Sequence, residues 1–133
     1  MSYATLADIL EQLPEADLIG LTDDLGIGEV NQGAVDRAIA DADSMIDSYI
    51  QARYPAPLSP VPSSIRRIAV DLAVYDLHSR RGSLEIPEPR KDRHKAALRF
   101  LEQLAEGKLT LGVAASAPAE SIAEIVSSSE RGF

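Results

Sequence analysis

The chain has 133 residues, 45% of them hydrophobic and 26% charged, with a formal net charge of −8: one domain with one modest core. Cysteine and tryptophan are absent, which excludes disulfides, thiolate metal sites and cysteine nucleophiles and leaves the core to Leu, Ile, Val and Ala, a composition that favours helix-on-helix packing. No apolar run approaches the roughly 20 residues of a bilayer span, and the acidic total argues against a general nucleic-acid binder.

In chain order, a first helix is expected over Thr5–Leu13, with Thr5 and Asp8 as a capping box and Leu6, Ile9, Leu10 and Leu13 as its apolar stripe. Asp8 and Glu11 inside that pattern, and no basic region before it, rule out a signal peptide, so synthesis in the cytoplasm follows by default. Pro14 ends the helix or opens a short second turn, EADLIGL, and the glycine-rich TDDLGIGEVNQG is a loop. Asn31 is a good N-cap for a long helix over Gly33–Tyr54, whose apolar residues recur at three- and four-residue steps. Asp36, Asp43 and Asp47 share its opposite face.

The stretch Tyr54–Ser64, YPAPLSPVPSS, carries Pro55, Pro57, Pro60 and Pro62. Each proline removes an N–H, fixes φ and pushes the preceding residue out of the α region. An extended, semi-rigid hinge near polyproline II is therefore expected, setting the angle between two helices. A Pro-rich ligand for a recognition module is the alternative, disfavoured by the tightly flanking helices. Ser63 or Ser64 then caps a helix over Ile65–Arg81, apolar nearly all round and hence central, with Gly82 closing it and Arg80 and Arg81 placed for its dipole. A last helix runs over Glu88–Glu106, with Gly107 as its stop; KLTLGV follows as a short β-like run. The organisation expected is a helical domain over 1–112, all-α with about four helices, and a flexible tail over 113–133.

No constellation reads as an active site, and no metal or cofactor is implied. Asp23–Asn31 resembles a calcium loop but has Leu25 and Ile27 where side-chain oxygens are needed. His78 and His94 lie on different helices without a third ligand in register. Asp71 and His78 share a helix face, but an Arg67–Asp71 pair four residues apart is the ordinary reading. Charge is unevenly spread: residues 1–51 hold eleven acids and one Arg, whereas 66–99 hold nine Lys/Arg and five acids. Pairing within the chain and complementarity between neighbouring copies both account for that split. The basic cluster Arg90, Arg93, Lys95 and Arg99 lacks interleaved aromatics and is expected to face a partner or solvent, with acidic partners that offset its place at a helix start.

Y-A-T-L-x-D (Tyr3–Asp8), L-T-D-x-x-G-x-G (Leu21–Gly28), D-A-D-S-M-I-D-S-Y-I-x-x-R-Y-P-x-P-L (Asp41–Leu58), V-P (Val61–Pro62), I-A-V-D-L-A-V-Y-D-L (Ile68–Leu77) and A-L-R-F-L-x-x-L-A-x-G-K-L-T-L-G (Ala97–Gly112) together cover most of residues 3–112. This series resembles a family of Mu-like phage and prophage head–tail connector proteins, also called head-completion or adaptor proteins. The R-Y-P-x-P-L hinge with its following V-P is the most specific element. The resemblance implies a non-catalytic virion protein, assembled in the host cytoplasm and sited at the head–tail junction. It implies a homo-oligomeric ring of about twelve copies between the portal protein and a tail-side connector or tail-completion protein, with no membrane contact. DNA would pass through without specific binding. In such a ring Arg90, Arg93, Lys95 and Arg99 are expected to contact a subunit or partner, and Asp36, Asp43 and Asp47 to face the channel or meet a neighbour's basic helix. This sequence departs from the family in its last residues, SSSERGF, which are less basic and aromatic than family tails. The runner-up is a small helical oligomeric interaction module without catalytic activity, an adaptor or regulatory protein. A hydrolase or a DNA-binding regulator has little support.

Overall fold

The computed structural model describes residues 2–82 and 84–111. Among the described residues five helices follow in order: α1 (Leu6–Gln12), α2 (Glu15–Thr22), α3 (Gln32–Ile50), α4 (Ser63–Ser79) and α5 (Glu88–Ala105). With no strand among the described residues, the fold is a small all-α bundle. The additional helix is α2, which the sequence reading left as a possible short turn.

Local chemistry explains most helix starts. At α1 the Thr5 hydroxyl accepts the Asp8 N–H at 3.2 Å while the Asp8 carboxylate accepts the Thr5 N–H at 3.0 Å, a reciprocal capping box. At α3 the Asn31 side chain accepts the Ala34 N–H at 3.2 Å. The other three helices are each entered from a proline, Pro14, Pro62 and Pro87, at φ of −57°, −63° and −57°. A helix cap needs an extended residue whose own N–H has no intrahelical use, which suits proline. Ser63 and Ser64 are thus not caps but the first two residues of α4, and the Pro62 carbonyl accepts the first helical bond, from Arg66 N–H at 3.0 Å.

The reading of α4 as apolar nearly all round and central holds: Ile65, Ile68, Ala69, Val70, Leu72, Ala73, Val74 and Leu77 are all buried, and α4 contacts each of the other four helices. Ile46 and Ile50 of α3 and Leu101 and Leu104 of α5 pack against it in one core. Thr22, the one buried polar residue among those described, is fully satisfied. Its hydroxyl donates to the Leu18 carbonyl at 2.9 Å and accepts the Asn31 N–H at 3.0 Å, joining the end of α2 to the cap of α3.

Four other sequence expectations change. α3 ends at Ile50, and a turn carries the chain to Tyr54. The proline stretch bends repeatedly rather than running straight, with Ala56–Pro57 and Ser59–Pro60 in the cis form. α4 stops with Arg80 as its C-cap, so Gly82 lies beyond the closure. Lys108–Leu111, the described part of the supposed β-like run, forms no strand, since no strand among the described residues is there to pair with it. The expected tail, 113–133, lies outside the described residues.

Gly107 ends α5 as expected, at φ +83°. The Gly107 N–H donates to the Leu104 carbonyl at 3.2 Å and the Lys108 N–H to the Gln103 carbonyl at 2.9 Å, the paired bonds of a Schellman motif. A Cβ here would lie 3.1 Å from the Arg53 guanidinium. Gly107→Ala is therefore expected to cost about 1–2 kcal/mol from the left-handed backbone alone, with more if Arg53 cannot shift. The urea midpoint measures it; an unchanged midpoint would show that the C-terminal turn is not held as described.

Candidate interaction surface

The R-Y-P-x-P-L segment acts as a knot between distant parts of the chain. The Arg53 guanidinium donates to the Leu104 carbonyl at 3.3 Å, at the end of α5. Tyr54 is buried, and its hydroxyl accepts the Leu111 N–H at 3.1 Å, fixing the chain's exit from α5. Leu58 is buried too, and its N–H donates to the Tyr3 hydroxyl at 2.9 Å. Tyr3 in turn donates its O–H to Asp47 and its N–H to Asp43, the latter at 2.9 Å. Burial and the Asp47 carboxylate both disfavour a tyrosinate there and push the Tyr3 pKa up to about 12. Pro55, Pro57 and Pro60 are exposed and Pro62 half-buried, so the prolines shape the outer path while Tyr54 and Leu58 anchor it inward.

This places the acidic stripe. Asp43 and Asp47 are half-buried beneath Tyr3, whereas Asp36 is exposed and accepts a hydrogen bond from Gln32 at 2.8 Å. All three donors are neutral, so they satisfy the carboxylates without cancelling charge.

The basic residues divide into two sets. Arg80 and Arg81 extend away from their own helix end to the C-terminus of α2, donating to the Leu21 and Gly20 carbonyls at 2.7 and 3.3 Å. Both also pair with Asp24, at 2.7 and 2.9 Å, and hold its carboxyl below the usual range, Arg80 foremost. They cap α2's open carbonyls, a better use of charge than the dipole of α4. Arg90 and Arg93 donate to the Gln12 carbonyl and side-chain amide oxygen at 2.8 and 2.7 Å. Their direct partners at the start of α5 are thus neutral oxygens of α1, not the acids expected. Lys95 and Arg99 are exposed and have no carboxylate within ion-pairing distance among the described residues.

The candidate chemical pairs are not assembled. Asp71 forms no direct ion pair with Arg67; burial raises its pKa, opposed mainly by the charge of Arg93 and then of Arg67 and Arg90. His78 makes no hydrogen bond to Asp71, and its buried Nε2 has no partner in the structure. His94 stacks on Tyr75, with centroids 3.8 Å apart and planes at 14°. Among the described residues no three His, Asp or Glu side chains group as a metal site, and no helix is long and apolar enough to cross a membrane. The Asp23 carboxylate is taken up by its own loop: it accepts the Gly28 and Ile27 N–H groups at 2.7 and 3.1 Å, which lower its pKa.

The loop thus braced presents Leu25 and Ile27 to solvent at 81% and 63% exposure, a surface feature the sequence reading missed. Two apolar residues in a glycine-rich segment with no periodicity were the available signal, since such a loop has no buried face to put them on.

Known proteins match the chain over the span that holds these contacts. A family described as "Bacteriophage Mu, Gp36" matches residues 3–128. The chain is similar to "Gene product J" of Escherichia phage Mu, 31% identical over 132 residues, spanning 96% of this chain and 91% of that protein. It is also similar to "Mu-like prophage FluMu protein gp36" of Haemophilus influenzae, 33% identical over 108 residues, 79% of this chain and 66% of that protein. With nearly its full length matched, from the Tyr3 anchor to beyond the Leu111 exit, the chain belongs to the bacteriophage Mu Gp36 family.

Proposed function

We propose that the chain is a head–tail connector of a Mu-like phage or prophage, a structural protein that forms a ring between portal and tail. The observation carrying this reading is the family match over residues 3–128. Its partners are further copies of itself, the portal protein and a tail-side completion protein, and its place is the head–tail junction of the virion. The exposed Lys95 and Arg99 on α5, with the braced Leu25 and Ile27 tip, are the surfaces offered to those partners.

Arg90 and Arg93 already serve Gln12 within the chain, which weakens the pairing of these arginines with a neighbour's Asp43 and Asp47. The acidic face of α3 then suits the channel. Asp36, Asp43 and Asp47 are bonded by neutral donors rather than paired with cations, so this face repels phosphates, whereas a lysine- or arginine-lined wall would gain affinity by releasing counterions.

Two measurements test the reading. Light scattering and electron microscopy of the protein mixed with its cognate portal are expected to show a ring-shaped complex; no association with the portal or with itself would overturn the connector assignment. A mobility-shift titration with long duplex DNA at physiological salt is expected to show no binding in the roughly 10⁻⁴–10⁻⁶ M range of nonspecific binders. Salt-sensitive micromolar binding would sink the inert channel and make Lys95 and Arg99 DNA contacts.

A further inference from the structure

A groove of about 710 Å³ opens between α2, the end of α4 and the start of α5. Its apolar lining is Leu13, Ala16, Leu21, Leu84, Pro87 and Pro89, and Leu84 is left 56% exposed on it. Arg90 and Arg93 line the α5 side, with Asp17 on α2 and Glu85 before α5 as the acidic part of the lining, and His78, whose Nε2 has no partner among the described residues, lines the same groove. An apolar depression of this size beside an unsatisfied buried nitrogen is an unfinished surface.

We propose that this groove is covered by the chain's own C-terminal segment Ser121–Val126, docked within the same copy. Twenty-two residues follow Leu111. Among them Ser121 and Glu124 have the spacing of a capping box, and Ile122, Ile125 and Val126 the i, i+3, i+4 spacing of a helix laid in a groove. The only charged side chains between Gly112 and Ser129 are Glu120 and Glu124, and within the groove their favourable place is beside Arg90 and Arg93 rather than beside Asp17 and Glu85, which sets the orientation of the segment.

Reach supports the same copy. Leu111 is fastened to Tyr54 at the far end of α5, and the groove lies at the near end of that 18-residue helix, about 27 Å away along its axis. The ten residues from Gly112 to Ser121 extend to about 33–36 Å, enough to span the helix with little slack. A tether this short supplies an effective concentration on the order of millimolar, so even a modest contact stays largely closed. The inference is independent of the connector reading, because docking is read on the free chain.

The absence of cysteine makes the test direct. A nitroxide on Ser128→Cys in the full-length, ¹⁵N-labelled protein is expected to broaden the amide signals of Ala16, Gly20 and Leu84 several-fold over a reduced control. Ile122→Asp with Ile125→Asp should abolish that broadening, and so should removal of residues 113–117, which leaves too little chain to reach. Both changes lie outside the described residues, and the amide chemical shifts of the core residues in each variant check that the helical body is kept. Equal broadening in these variants would overturn the proposal, as would no broadening at all. So would broadening seen only when the nitroxide sits on an unlabelled copy mixed with a labelled one, which would assign the groove to a neighbour's segment.

Discussion

Replacing Tyr54 by alanine is expected to destabilise the protein by about 3–5 kcal/mol, the range for removing a buried aromatic side chain. Tyr54 is 3% exposed and belongs to the main core cluster, so its removal leaves a cavity where α3 turns into the proline stretch. Its hydroxyl also accepts the Leu111 N–H, so the exit from α5 loses an anchor. Tyr54→Phe separates the two contributions: it keeps the ring and removes one hydrogen bond, for about 1 kcal/mol. Urea unfolding of both variants supplies the comparison. An alanine variant no worse than the phenylalanine variant would show that the segment is not packed as described.

Tyr3→Phe is expected to cost about 2–3 kcal/mol, unusually much for loss of one oxygen. The hydroxyl both donates to Asp47 and accepts from Leu58, whose side chain is buried at 3% exposure. Removing it strips an acceptor from a buried N–H and a donor from a half-buried carboxylate, and an orphaned buried group costs about 1–3 kcal/mol. Asp47→Asn keeps an acceptor for the tyrosine and is expected to cost much less. The same contact predicts an alkaline dependence. Tyr3 has its pKa raised from 10.0 to about 12 in the folded chain, so the fold favours the neutral phenol. That stabilisation is complete below pH 10 and is lost as pH rises through 12. The stability gap between wild type and Tyr3→Phe should therefore narrow over this window, read from urea midpoints at each pH. A gap that stays constant from pH 9 to 12 would mean the hydroxyl is not held between Asp47 and Leu58.

What the sequence by itself determined was mostly what is decided within about one helical turn, although Pro62 rather than Ser63 or Ser64 caps α4 and Arg80 rather than Gly82 closes it. Thr5 with Asp8, Asn31 and Gly107 mark helix ends because each acts on backbone groups two to four residues away. The apolar rows of α3 and α4 were legible because helical periodicity projects sequence directly onto a buried face. The short apolar run at Lys108–Leu111 misled for the converse reason: strand character depends on a pairing partner that local sequence does not reveal. Only the tertiary structure decided where the polar side chains ended. Arg90 reaches Gln12 across 78 positions, Arg80 reaches Leu21 across 59, and Leu58 meets Tyr3 across 55. Composition showed an acidic half and a basic half, but that charge pattern fits many pairings equally well. Packing chose among them, because an arginine brought against open helix carbonyls gains a charge-assisted bond there and satisfies groups that would otherwise be left bare.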